Sequence, residues 1–459
     1  MANRPLLTNR AYRPLVAKRR PLLLILIVAL ALRLIFALAL DPNAPYADRK
    51  NDAGWYLGNG YTLITGQNPA DMLNEVSNLA SPPLYFIVIG LPQAILSPAA
   101  AVMVVRVLQA VLSTATVYFA YKLGVLLTKR EGAGLIAAGV LAISPVFIVE
   151  SAQILTETLY IFLIVGGVWL YSEYLSVGAG LRPALTLTPN APLQNPRPIA
   201  WLLLAAILFG LAALTRAVLL GFPFLLVIHL FLLRGRGWRK AWKPAALFLL
   251  VFALTVSTWT VYSVARWNRF VIAGEGLPSF FYLGVTGWTS AQQIDQSLQA
   301  TGGSYVEGAQ AAISSDPLGW AKHRVSELAN AYLQPHGTTF YPGASLKDQA
   351  LKWLDTDRSL NGLIALTQAN AFWSKLALYA LHYAALIGGL AGIWLYRRQW
   401  PIALPLIGFI IYVTLVHLVL LALPRYIFPT EVFWWIFAAA ALDRLFARLT
   451  RPRLKTTAV

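Results

Sequence analysis

Seven ionisable residues of this chain stand at the ends of long apolar runs, where a charge is expensive and usually marks function. Glu150 and Glu157 bracket one turn (FIVESAQILTETLY), and Arg216 and Arg425 occupy two others (LTRAVLL, LPRYIF). Arg106 opens a further apolar run. Asp48 and Asp52 lie in ADRKNDAGWYLGNGYTLITG, beside Trp55, Tyr56 and Tyr61. Arginine forks hold phosphate oxygens, and a carboxylate deprotonates a nucleophile or holds a metal ion. Carboxylates and arginines gathered on one face suit a lipid that carries a phosphate. On this reading Asp52 and Glu157 are the catalytic candidates and could also hold a divalent cation, Mg or Mn. Arg216, Arg425 and Arg106 are the phosphate contacts, with Asp48, Glu150, Tyr56 and Tyr426 as additional candidates.

Each residue also has a plainer role open to it. Asp52 can cap a surface helix, and Asp48, before Arg49-Lys50, can be a solvated loop charge. Glu157 suits the dipole of the helix it starts, and Glu150 ends one. Arg216 and Arg425 can snorkel to headgroups, and Arg106 can pair with a carboxylate inside the bundle. Tryptophan and tyrosine in the first loop suit an interfacial belt. His229, His323, His336, His382 and His417 show no metal-ligand spacing and are read as structural.

The elements that must position these groups are membrane helices. The chain has 459 residues, 58% hydrophobic and only 12% charged, whereas soluble domains carry about 25% charged residues. Its net charge of +18 comes from clusters between apolar runs, which favours topology signals and anionic lipid over nucleic acid. There is no cysteine, so disulfides and thiolate metal sites are excluded. About 20 apolar residues cross a bilayer as a helix. Ten spans are predicted: 21–40, 101–126, 134–149, 157–175, 200–214, 218–233, 245–265, 376–396, 401–423 and 426–442. The first is read as an uncleaved anchor. Residues 83–97 are apolar but interrupted by Gly90-Leu91-Pro92, and are expected to lie on the outer surface; an eleventh span is the alternative.

Basic residues concentrate in 1–20, 234–243 and the tail from 443. Both termini are therefore expected in the cytoplasm, and the seven charged candidates on the outer face of the plasma (inner) membrane. The domains expected are a basic N-terminus 1–20, a transmembrane module 21–265 including outer loop 41–100, a large outer loop or cap 266–375, C-terminal helices 376–442 and a basic tail 443–459. Residues 182–198 read as a proline-rich inner linker, and 317–333 and 346–356 as helical patches of the cap.

Six signals in order carry a resemblance. They are Asp52 in NDAGWYLGNGYTLITG, Ser81 to Tyr85 (SPPLY), Arg106 in VVRVLQAVLSTATVYFAYKLGVLL, Pro145 with Glu157, Arg216 in GLAALTRAVLLGFP, and Arg425-Tyr426 in PRYIFP. The chain thereby resembles membrane glycosyltransferases of GT-C architecture, the group of the protein O-mannosyltransferases and the lipid A aminoarabinose transferase. The resemblance covers 21–235 well, 376–442 loosely and 266–375 not at all. It implies an all-α polytopic bundle of about ten transmembrane helices, with surface helices in the first outer loop and a small cap. It also implies inverting transfer of a sugar from a polyprenyl-phosphate donor to a glycan, lipid or protein hydroxyl. The mannosyltransferases have an Asp-Glu pair in the first loop where this chain has Asp52-Ala53, and Glu157 stands where relatives often have Asp. The alternatives are a ligase or polymerase with a diphosphate-linked donor, and a secondary transporter or lipid flippase.

Overall fold

The computed structural model describes residues 19–47, 52–67, 79–178, 197–234, 241–287 and 303–450. Asp48, residues 1–18 and most of the linker 182–198 lie outside them. The described residues form helices and no strand, as they must in hydrocarbon, where each backbone polar group needs a partner within its own segment. Arg20–Ala39, Pro98–Thr128, Glu157–Ser176, Trp242–Trp267 and the helix pair within Phe372–Val419 are long and apolar enough to cross a membrane. Shorter apolar helices at Glu131–Ile143, Ile199–Ala213 and Ala217–Leu233 pack among them.

The run predicted as 134–149 is two pieces, Glu131–Ile143 and Pro145–Glu150. Pro145 has no N–H, so carbonyls of the preceding turn lose their helical partner. Arg33, fully buried, reaches across from the first helix to fill that gap. It donates to the carbonyls of Leu141 and Ala142 at 3.0 Å each and to Ser113 Oγ at 2.7 Å. The run predicted as 426–442 likewise resolves into Pro424–Ile427, a single 3₁₀ turn, and Glu431–Leu449. That last helix packs on Phe372–Tyr396 so closely that a Cβ on Gly392 would meet the Phe437 carbonyl oxygen at 2.0 Å. Small residues let membrane helices approach backbone to backbone in this way.

The segment after the first long helix carries two shorter helices, Asp52–Thr65 and Leu84–Gln93. The second has ten residues, about 15 Å at the helical rise and half the hydrocarbon thickness. The two cross at Gly60 and Gly90, where a Cβ on Gly90 would lie 2.2 Å from the Gly60 carbonyl oxygen.

The long segment between Trp267 and Phe372 folds into short helices at Leu277–Thr286, Tyr305–Ser315, Pro317–Leu333, Leu346–Thr356 and Leu360–Thr367. Ser304, Asp316 and Ser359 start three of them by accepting from the N–H three residues on, at 3.3, 2.9 and 2.9 Å, the local role of N-cap residues. Lys375, buried at the head of the next long helix, anchors the segment through the carbonyls of Pro342, Gly343 and Ala344 at 2.8, 3.0 and 3.0 Å.

Candidate active site

Four breaks between helices converge at the same end of the bundle, and each delivers one charged group. Asp52 begins the surface helix Asp52–Thr65. Glu157 begins the buried helix Glu157–Gly178. Arg216 sits in an extended conformation, φ −145° and ψ 114°, between Ala213 and the 3₁₀ turn Ala217–Gly221. Arg425 rides on Pro424–Ile427.

The connections that hold these breaks are specific. Leu84 N–H donates to the Leu214 carbonyl at 2.9 Å, tying the SPPLY stretch to the Arg216 turn. The Tyr85 hydroxyl donates to Gln109 Oε1 at 2.9 Å. Gln109 in turn donates to the carbonyls of Ser151 and Gln153 at 3.2 and 2.6 Å, fixing the turn that leads into Glu157. Glu275 and Gly276 N–H groups donate to the carbonyls of Leu79 and Ala80 at 2.7 and 2.9 Å, joining the long segment after Trp267 to the first loop.

Glu157 is fully buried and holds both arginines. Arg216 Nη2 and Arg425 Nε both donate to its Oε1, and Arg425 Nη2 reaches Oε2 at 3.4 Å. Arg216 Nε also donates to Thr156 Oγ1 at 2.9 Å. Arg425 Nη1 extends outward to Asp52 Oδ2. Two guanidinium groups and two carboxylates thus form one chain that is neutral in sum, closed at its Glu157 end and open at Asp52, whose side chain is 61% exposed.

Aromatic rings frame this chain. Arg216 lies 5.4 Å from the Tyr160 ring centroid and 5.7 Å from that of Tyr426, within cation–π range. Tyr56 makes an edge contact with Tyr85 at 5.1 Å. Burial raises the Tyr56 hydroxyl above its usual pKa, against the opposing pull of Arg425 and Arg216. Burial likewise pushes Tyr426 up to about 12, so both stay protonated donors at neutral pH. For Arg425, burial works against the charge, but Glu157 more than offsets it and the guanidinium is held protonated more firmly than usual.

The charged chain opens into a cavity of about 520 Å³. Asp52, Trp55, Tyr56, Arg216, Arg425 and Tyr426 line its polar end; Val218, Leu277, Phe280, Leu283, Leu420 and Leu423 line its apolar walls. A charged mouth beside an apolar groove suits a ligand with an anionic head and a hydrocarbon tail.

The structure therefore brings together Asp52, Glu157, Arg216, Arg425, Tyr56 and Tyr426. It does not bring Arg106 or Glu150 to the cavity wall. Arg106 spends its guanidinium on backbone carbonyls, those of Ala152, Leu40 and Asp41 at 3.1, 2.9 and 3.3 Å. It pins the end of the first helix to the Glu150–Glu157 turn. Glu150 is buried against His336 from the long segment between Trp267 and Phe372, a partner no local pattern could name. Asp48 lies outside the described residues. Sequence reasoning missed Thr156, Phe280 and His417 at the cavity wall; Phe280 and His417 come from segments without any motif.

Asp52 and Glu157 do not fit a cation as placed. Both Glu157 oxygens accept from arginine, Asp52 Oδ2 accepts from Arg425, and the Arg425 guanidinium stands between the two carboxylates. Among the described residues no cluster of three or more His, Asp or Glu groups has metal-holding geometry.

The comparisons bear out the resemblance to GT-C glycosyltransferases that was read from the sequence. Residues 72–273 match the family model for dolichyl-phosphate-mannose-protein mannosyltransferase. Among solved structures, the chain aligns with the apo oligosaccharyltransferase of Archaeoglobus fulgidus at TM-score 0.52 and 16% identity, over 94% of this chain and 51% of that one. It aligns with the same organism's oligosaccharyltransferase AglB, in complex with an inhibitory peptide and a dolichol-phosphate, at TM-score 0.51 and 15% identity, over 94% and 50%. ArnT from Cupriavidus metallidurans, bound to undecaprenyl phosphate, aligns at TM-score 0.41 and 14% identity over 94% and 80%. The chain spans about half the length of the oligosaccharyltransferase chains. Another structure of the Archaeoglobus enzyme is a complex with Zn and sulfate. No curated protein sequence matches the chain.

Proposed function

We propose that this membrane protein is an inverting glycosyltransferase. It moves a sugar from a polyprenyl-phosphate donor to a hydroxyl of a glycan, lipid or protein at the outer face of the plasma (inner) membrane, with both termini in the cytoplasm. The observation that carries the reading is the open-ended charge chain Glu157–Arg425–Asp52 at the mouth of an apolar cavity.

The donor's tail lies along Leu277, Phe280, Leu283 and Leu420, and its phosphate meets Arg216 and Arg425. A phosphodiester brings one negative charge to a neutral site. It is accommodated when Arg425 exchanges its exposed partner, Asp52, for the phosphate and keeps its buried one, Glu157. That exchange frees the Asp52 carboxylate on the side from which the acceptor enters. Asp52 then takes the proton as the acceptor oxygen bonds to the anomeric carbon. The bond from that carbon to the phosphate oxygen breaks, and its electron pair leaves on the lipid phosphate, which the arginines stabilise. Attack opposite to the leaving group inverts the anomeric centre. Glu157 stays in place and holds both guanidinium groups to their positions. No metal ion enters the step, because both oxygens of Glu157 stay on the arginines and Asp52 alone is freed.

The test is sugar transfer by the purified, reconstituted protein with a panel of radiolabelled polyprenyl-monophosphate sugars. Asp52-dependent release or transfer of sugar is expected. Turnover confined to diphosphate-linked donors would move the protein to the ligase or polymerase reading, and no turnover with either donor class would overturn the proposal.

A further inference from the structure

One side chain at the cavity wall has an acceptor that the proposed step does not use. His417 lies in the last turn of the helix Trp400–Val419 and is 7% exposed. It lines the cavity with Arg216, Arg425 and Tyr426. Its Nδ1 lies 2.8 Å from the Leu421 carbonyl oxygen. A carbonyl only accepts, so Nδ1 carries the hydrogen, and Nε2 of the neutral ring is left as an acceptor. Among the described residues no donor reaches Nε2.

The ring is held rigidly. It stacks on Tyr426 with centroids 5.4 Å apart and planes inclined by 19°. Arg324, buried in the outer segment, donates to the His417 and Leu418 carbonyls at 2.9 and 3.1 Å and so fixes the end of the helix. Tyr426 in turn lies against Arg216, so the imidazole is coupled by stacking to the place where the phosphate is expected.

The rest of the cavity's charged chemistry has other work. The arginines are donors suited to phosphate, and Asp52 faces the acceptor substrate. A phosphodiester and a hydrocarbon tail offer no hydrogen to Nε2, whereas a sugar hydroxyl does. Resting on the donor proposed above, we infer that His417 is a sugar-binding residue. Its Nε2 accepts a hydrogen bond from one hydroxyl of the transferred sugar, and so contributes to which sugar is selected. A site built to pair a hydroxyl disfavours the analogue that lacks it, because its own polar group is then left buried and unpaired.

The experiment is a deoxy scan in the reconstituted protein. It uses a polyprenyl-monophosphate hexose that the wild type turns over, together with its monodeoxy analogues. One deoxy position should lower wild-type kcat/KM about tenfold, the size of one neutral hydrogen bond. In His417→Phe, which keeps a ring to stack on Tyr426, the parent sugar should fall to the level of that deoxy analogue. The variant should be indifferent to that one hydroxyl and keep its sensitivity at the others. A deoxy profile in His417→Phe unchanged from wild type overturns the inference. Should the phenylalanine variant not fold, His417→Leu, which also removes the acceptor, is scored by the same loss of sensitivity at one position. Failure of the wild type to use any lipid-linked sugar is a different result and refutes the donor reading instead.

Discussion

If donor phosphate and Asp52 compete for Arg425, then Asp52→Asn should bind the donor more tightly while transferring sugar far more slowly. The magnitude follows from exposure. The Asp52 side chain is 61% exposed and that of Arg425 21%, so the pair belongs with solvent-screened ion pairs, worth about 0.2–1 kcal/mol. Removing the competing carboxylate returns that energy to the incoming phosphate, a gain of about 1.4- to 5-fold in affinity. Loss of a positioned general base lowers kcat by about 10²–10⁴-fold. The assay is binding of a polyprenyl phosphate that carries no sugar, by calorimetry in detergent, set beside turnover of the complete donor. Weaker phosphate binding in Asp52→Asn would refute the exchange at Arg425. Unchanged turnover in a folded variant would refute Asp52 as the base. The two arms are independent, so either half of the reasoning can fail alone.

Glu157→Gln should lower stability by about 3 kcal/mol, the lower end for breaking a buried ion pair, because both arginines keep some solvent; thermal unfolding in detergent measures it, and an unchanged midpoint refutes the structural role given to Glu157. Gly90→Val would set side-chain carbons against the Gly60 carbonyl, 2.2 Å from the first added atom. It should shift the helix that carries Asp52, lowering kcat more than donor affinity, with about 1–3 kcal/mol of lost stability; wild-type kcat in this variant would separate Asp52 from that helix crossing. Transfer should persist in excess chelator, since both Glu157 oxygens stay on the arginines when Asp52 is freed; abolition by chelator with rescue by Mg or Mn would show that the carboxylates rearrange around a cation. Burial pushes Tyr426 up to about 12, so its hydroxyl stays protonated as pH rises through its ordinary range. Wild type and Tyr426→Phe should therefore share one alkaline limb in kcat/KM, and a limb near pH 10 that vanishes in the variant would contradict that environment.

Much of this molecule could be read in one dimension. Hydropathy alone placed the long spans because a membrane helix must satisfy its backbone internally and face hydrocarbon outward. Both properties are local to some 20 consecutive residues. The shortness of the helix at Leu84–Gln93 was legible from its Gly-Leu-Pro interruption, Asp52 from its acidic, aromatic loop, and Glu157, Arg216 and Arg425 from the expense of a charge beside an apolar run. Their roles were not legible. Arg106 and Arg425 both border apolar runs, yet the fold turns Arg106 onto three backbone carbonyls and Arg425 onto two carboxylates. Glu150 and Glu157 bracket the same turn, yet one meets His336 and the other two arginines. The partners lie 46 to 373 positions away along the chain, and no periodicity spans such separations. Arg33 filling the gap left by Pro145, and His417 reaching the cavity wall, depend in the same way on which helices pack side by side. The sequence by itself determined that this is a helical membrane protein with charges at the ends of its spans. Which of those charges share a cavity was decided only by the tertiary structure, because an ion pair is set by distance and burial in space, not by position along the chain.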